Sequence, residues 1–189
     1  MPLTESPHEG RHLDVDGMRL FVVERGLEGY PLVALHPLGR DHWVFADYLD
    51  GLAPDLHVVL ADQRGHGMSD PADEVTVEQL AADVGGLADV LELDRYALLA
   101  HGDAAAVAAA HAAAAPERVS HVILLPDGEQ PGGEYQRRSA PGIERGPRVG
   151  AGPDRSIPDG VPVTREDTAY PFVHDQDAFL ARVRAFVLG

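Results

Sequence analysis

Asp62-Gln63-Arg64-Gly65-His66-Gly67-Met68-Ser69-Asp70 lies between two segments of different periodicity. Before it, His57-Val58-Val59-Leu60-Ala61 is a short apolar run, the pattern of a buried parallel strand. After it, Thr76 and Gln79 make a capping box, and Leu80, Val84, Leu87 and Leu91 recur on one helical face. Gly85-Gly86 inside that helix weakens it by about 1 kcal/mol per Gly. The alternation extends both ways. Residues 18–23, 32–35, 96–100 and 121–125 read as further strands. Asp41 to Leu52 carries Phe45, Leu49 and Leu52 at helical spacing, and Asp103 to Ala115 is a helix built almost wholly of Ala and ended by Pro116. Small side chains let such a helix approach a sheet closely. This order predicts an α/β fold, a mostly parallel sheet with helices on both faces.

The pattern breaks between Pro126 and Gly160, which hold 6 Pro and 8 Gly in 35 residues. That composition predicts a long, poorly packed connection. Val161 to Thr164 then reads as a short edge strand and Asp175 to Leu188 as a final helix, with Phe179, Val183 and Phe186 on one stripe. The expected organisation is one domain: a tail over 1–14, a core over 15–125, the connection over 126–160, and a last strand and helix over 161–189.

Composition narrows the function. The 189 residues suit a single domain. A formal net charge of −16 repels phosphate backbones and anionic membranes, so neither nucleic acid nor a membrane is an expected partner. There is no Cys, which excludes disulfides, thiolate metal sites and a Cys nucleophile. No stretch has the length of a membrane span, and the first nine residues lack a signal-peptide pattern, so a cytoplasmic location is expected. The chain is rich in His, yet no pair has zincin spacing and no loop has a calcium-site pattern. No metal and no cofactor are expected.

Three segments together resemble the α/β-hydrolase superfamily, with a lean toward its enol-lactonase and esterase branches. Leu35-His36-Pro37-Leu38-Gly39-Arg40-Asp41-His42-Trp43 resembles the family's turn after its third strand. The 62–70 stretch resembles its Asp-x-Arg-Gly-His-Gly-x-Ser loop, and Leu98-Leu99-Ala100-His101 leads into its nucleophile elbow. Tyr170-Pro171-Phe172-Val173 and the helix after it resemble the segment that follows the catalytic His.

The resemblance implies a Ser nucleophile, a His base, an Asp that orients the His, and two backbone N–H groups for the oxyanion. The residues present depart from it. Gly102 stands at the nucleophile position and cannot attack, while Gly tolerates the strained elbow backbone. Ala169 stands at the His position. Asp103 is an alternative carboxylate nucleophile if the register slides by one, but that slide puts bulky His101 where a small residue belongs; unslid, Asp103 is a residue at a helix N-terminus, favoured there by the dipole. Asp154 is a candidate acid, though Gly152-Pro153-Asp154 also makes an ordinary turn. Asp127 is an alternative acid or a turn residue, and His174 a displaced base or a solvated residue before the last helix. The oxyanion donors would be the N–H groups of Leu38 and Asp103, since Pro37 has none. His36, His101 and Met68 complete the candidate pocket, with His36 and His66 expected to hold their loops by hydrogen bonds.

Relatives with a lid run to roughly 250–280 residues. The expectation is therefore a lidless fold with a reduced C-terminal half, leaving apolar surface near Leu38, Met68 and Ala104 exposed. Gly102 and Ala169 together predict lost serine hydrolase activity: a pseudoenzyme, or a protein that binds a small molecule, a protein partner or a second copy of itself. The alternative is a non-serine enzyme, a lyase, isomerase, cyclase or lactonase-like hydrolase, acting on a small carbonyl or lactone substrate with Asp103 or Asp154 as general base.

Overall fold

A computed structural model describes residues 9–45, 48–128, 157–167 and 175–189. Among the described residues, seven strands form one sheet in the order β1-β2-β4-β3-β5-β6-β7. They are β1 (Arg11–Val15), β2 (Met18–Arg25), β3 (Tyr30–Leu35), β4 (Leu56–Ala61), β5 (Tyr96–His101), β6 (Val119–Leu125) and β7 (Val163–Arg165). β1 and β2 pair antiparallel, and β2 meets β4 antiparallel. The pairs β3–β4, β3–β5, β5–β6 and β6–β7 are parallel. The sheet is thus the mostly parallel one that the alternation of strands and helices predicts.

Side-chain alternation sends residues of each strand to opposite faces. Val33, Leu35, Leu98, Ala100 and Val122 join one buried cluster, which includes the inner faces of α1 (Val77–Val90) and α2 (Ala105–Ala114). Leu32, Ala34, Ala97, Leu99 and Ile123 join the other, with Phe45, Leu49, Leu52 and the buried stripe of α3 (Gln176–Leu188). Helices therefore cover both faces.

The capping box of α1 forms as its sequence predicts: Gln79 N–H donates to the Thr76 hydroxyl at 3.2 Å, and Thr76 N–H donates back to the Gln79 side chain at 3.0 Å. Of its two glycines, only Gly86 is required by close packing. A Cβ on Gly86 would come within 2.6 Å of Val15 Cγ1, whereas one on Gly85 would sit 3.4 Å from the His111 ring. Helix α3 starts at the Asp175 cap, whose carboxylate accepts from Ala178 N–H at 3.2 Å.

Three expectations need correction. The segment from Asp41 to Leu52 is not one α-helix: His42–Val44 and Asp50–Leu52 are short 3₁₀ turns, with 46 and 47 outside the described residues. Its stripe nevertheless holds, since Phe45, Leu49 and Leu52 are all buried. Gly51 in the second turn packs closely on α3: a Cβ there would come within 2.5 Å of Leu180 Cδ1. Order also begins earlier than expected. Arg11–Val15 is a strand within the expected tail, joined to β2 by Asp16 and Gly17 at φ values of 52° and 80°, a hairpin turn of the Asp-Gly kind. Finally, the Ala-rich segment opens with a 3₁₀ turn over Gly102–Ala104, and its α-helix begins at Ala105.

Candidate functional site

The parallel strands end on one rim, and the chemistry-bearing residues lie in the loops that leave it. Strand β5 ends at His101, which has extended backbone, and Gly102 follows at φ +60°. The chain then turns into α2. This is a strand-to-helix elbow whose apex sits in the left-handed region, where a side chain is disfavoured and Gly is not. Strand β6 aligns Leu125 with His101, so Asp127 lands beside the elbow. A Cβ on Gly102 would lie 3.3 Å from Asp127 Oδ1. The same oxygen accepts Gly128 N–H at 3.0 Å.

The second element of the rim is the turn after β3, closed by Arg40 N–H donating to Pro37 O at 3.0 Å. Gly39, at φ +81°, permits that turn. Leu38 N–H points across to the elbow and donates to Asp103 Oδ1 at 2.7 Å. One of the two N–H groups assigned by resemblance to an oxyanion, that of Leu38, is thus engaged by an internal carboxylate. Asp103 has its pKa raised, first by burial and further by the charge of Asp127; the Leu38 hydrogen bond and His66 pull the other way.

The 62–70 loop is fastened at several points. Asp62 is fully buried, and its carboxylate accepts His42 N–H at 2.7 Å, His42 Nδ1–H at 2.8 Å and Met68 N–H at 2.8 Å. Burial works to raise the Asp62 pKa, but these donors outweigh it and the net shift is downward. Gly67, at φ +51°, has no room for a side chain because its Cβ would meet Asp62 Oδ2 at 2.2 Å. Arg64 grips Asp83 of α1 with two hydrogen bonds, at 2.7 and 2.5 Å. The Ser69 hydroxyl donates to Asp62 O at 2.5 Å and accepts Phe21 N–H at 2.9 Å.

The histidines follow the same logic. His36 Nε2 accepts Gln63 N–H at 3.0 Å, which leaves the proton on Nδ1 for the carbonyl of Pro37 at 2.9 Å. Burial holds its pKa down to about 4, so it is neutral at pH 7. His66 Nδ1 bonds Arg64 O at 2.8 Å. His101 is buried near the Phe45 ring, and burial pushes its pKa down to about 4 as well. His111 bridges Tyr96 OH and Ala81 O at 2.5 and 2.9 Å, within the helical layer and away from the rim.

The structure brings together Gly102, Asp103, Asp127 and Leu38. Asp154, Ala169 and His174 lie outside the described residues. The expected exposed patch is smaller than its three residues imply: Met68 is 46% exposed and Leu38 partly buried, but Ala104 is fully buried against the sheet. Among the described residues no three His, Asp or Glu side chains are grouped to hold a metal ion, and no helix is long and apolar enough to cross a membrane. The Asp103–Leu38 contact and the His42–Asp62 pair are absent from the sequence reading. A signal for the first was available, since an acid directly after the elbow residue stands within reach of any oxyanion donor.

Residues 30–127 match the α/β hydrolase fold family. The chain is 34% identical over 115 residues to the dihydrolipoyllysine-residue acetyltransferase component of the acetoin cleaving system of Cupriavidus necator, covering 59% of this chain and 30% of that one. It is 30% identical over 125 residues to 2-hydroxymuconate semialdehyde hydrolase of Pseudomonas sp. strain CF600, covering 64% and 44%. The enol-lactonase from Burkholderia xenovorans LB400 superposes with a TM-score of 0.58 at 28% identity, over 61% of this chain and 46% of that one. The chain thus spans between 30% and 44% of the length of these two curated relatives.

Proposed function

The chain belongs to the α/β-hydrolase fold family, and from that premise we propose that it has lost serine hydrolase chemistry and keeps the rim as a binding site. The observation that carries this reading is Gly102. It holds the elbow at φ +60° and brings no nucleophile to it. The surroundings support the same reading, because the Leu38 N–H, one of the two that would stabilise an oxyanion, is engaged by Asp103. The ligand class suggested by the relatives is a small carbonyl or lactone compound. The enol-lactonase and semialdehyde hydrolase named above point to such groups.

A second reading rests on one distance. Asp127 Oδ1 lies 3.3 Å from where a Cβ of residue 102 would be, so a carboxylate faces the vacant nucleophile space. In that reading Asp127 acts as general base on a water or substrate proton, and the protein is a non-serine enzyme.

Assay of p-nitrophenyl esters and lactones separates the two. The first reading expects no turnover above buffer and no covalent label from a fluorophosphonate. Turnover without labelling that disappears in Asp127→Asn supports the second. Turnover with labelling overturns both.

A further inference from the structure

We propose that Asp103 is an intramolecular occupant of the rim's anion cradle, and that its carboxylate keeps carboxylate and oxyanion ligands out of the site. This inference rests on the reading of the rim as a binding site that has lost its serine chemistry. The cradle that the family resemblance implies has two backbone donors from different elements, Leu38 after β3 and Asp103 at the start of the helical turn before α2. The Asp103 carboxylate takes the first of them, at 2.7 Å from Leu38 N.

Three features favour this arrangement. The N-terminal end of a helix attracts negative charge. A charged acceptor makes a stronger hydrogen bond than a neutral one, so Asp103 holds the Leu38 N–H firmly. With Gly102 at the elbow, no side chain stands between residues 101 and 103 to contest the space. An incoming anion meets two negative charges, Asp103 itself and Asp127, whose field already reaches Asp103. His66 opposes them from the 62–70 loop, though not enough to reverse the upward shift at Asp103. The cradle is therefore built for an anion and filled by the chain's own.

The test is a titration of the full-length ¹⁵N-labelled chain with hexanoate at pH 7, followed through the amide signals of Leu38 and residue 103. Wild type is compared with Asp103→Ala and Asp103→Asn. The alanine variant is expected to bind hexanoate at least about tenfold more tightly than wild type, with both amides moving to saturation. The asparagine variant, which keeps the shape but offers only a neutral oxygen, is expected to fall between them. If the alanine variant does not fold, the asparagine variant against wild type carries the test. Equal binding by wild type and variants, or no movement of the Leu38 amide in any of them, overturns the proposal. Fluorophosphonate labelling reports the functional reading and the Leu38 amide reports this one, so each can fail separately.

Discussion

Replacing Asp62 by Ala removes an acceptor from three donors at once. Two belong to His42, its backbone N–H at 2.7 Å and its Nδ1–H at 2.8 Å, and His42 is only 2% exposed. Neither can turn to water. The third, Met68 N–H, belongs to a residue that is 46% exposed, so water can replace its partner. A buried donor left unsatisfied costs roughly 1–3 kcal/mol, and this replacement leaves two of them. Against this stands the relief of unburying a charge. That relief is small, because the net downward pKa shift of Asp62 means its surroundings already favour the carboxylate over the acid. The expected loss is about 4 kcal/mol. Urea unfolding followed by circular dichroism reads it directly. With a slope of about 2 kcal/mol per molar, the midpoint falls by about 2 M. Asp62→Asn keeps one oxygen for His42 and should lose about half as much. Asp89→Ala, which breaks an exposed pair with Arg118, is the control and should change stability by less than about 1 kcal/mol. A loss below about 1 kcal/mol in Asp62→Ala would refute the claim that this carboxylate anchors the loop.

Other outcomes follow from the same contacts. His36 and His101 titrate near 6.5 when unfolded and near 4 when folded, so the unfolded chain takes up protons first as pH falls. Their stabilising effect is complete above pH 6.5 and is lost between there and pH 4, by up to about 3 kcal/mol for each. Thermal melts at pH 7.5, 5.5 and 4.5 should show that decline, and a flat profile over this window speaks against it. Gly102→Ser should fold, lose roughly 1 kcal/mol through the positive φ, and gain no esterase activity; measurable ester turnover would contradict the assignment of Asp103 to the Leu38 donor. Gly85→Ala and Gly86→Ala should differ in sign. The first gains about 1 kcal/mol of helix propensity at ordinary contact distance from His111, whereas the second forces Val15 aside and loses about 1–3 kcal/mol. Equal melting temperatures for the two variants would mean that α1 does not pack on β1 as described.

Much of the architecture was legible because it depends on local pattern. The apolar runs at 57–61 and 96–100 lie within fully buried strands, and Thr76 with Gln79 caps α1 as their spacing predicts. Asp41 to Leu52 shows where that logic stops. Its apolar spacing correctly marks the buried stripe, but burial of Phe45, Leu49 and Leu52 does not require a continuous helix, and Leu180 of α3 fits against Gly51 instead. Strand β1 escaped notice because His12 and Asp14 interrupt its apolar residues, although Asp16-Gly17 signals the hairpin. The site was legible residue by residue but not as contacts. Nothing in the chain's periodicity reveals that Asp103 reaches Leu38 across 65 positions, because that distance is closed by the pairing of β3 with β5.

The rim has two kinds of residue, and they bear change differently. Asp62, Gly67 and Arg64 are tied into the strands and α1, so their replacement is felt by the whole molecule. Gly102 and Asp103 leave the sheet's ladder untouched, because β5 ends its pairing at His101. Drift at these two positions meets little resistance from folding. In a lineage carrying this chain, selection for a stable protein alone would preserve the 62–70 loop over long times while leaving the elbow free to wander, so motif retention measures ancestry of the scaffold rather than survival of its chemistry.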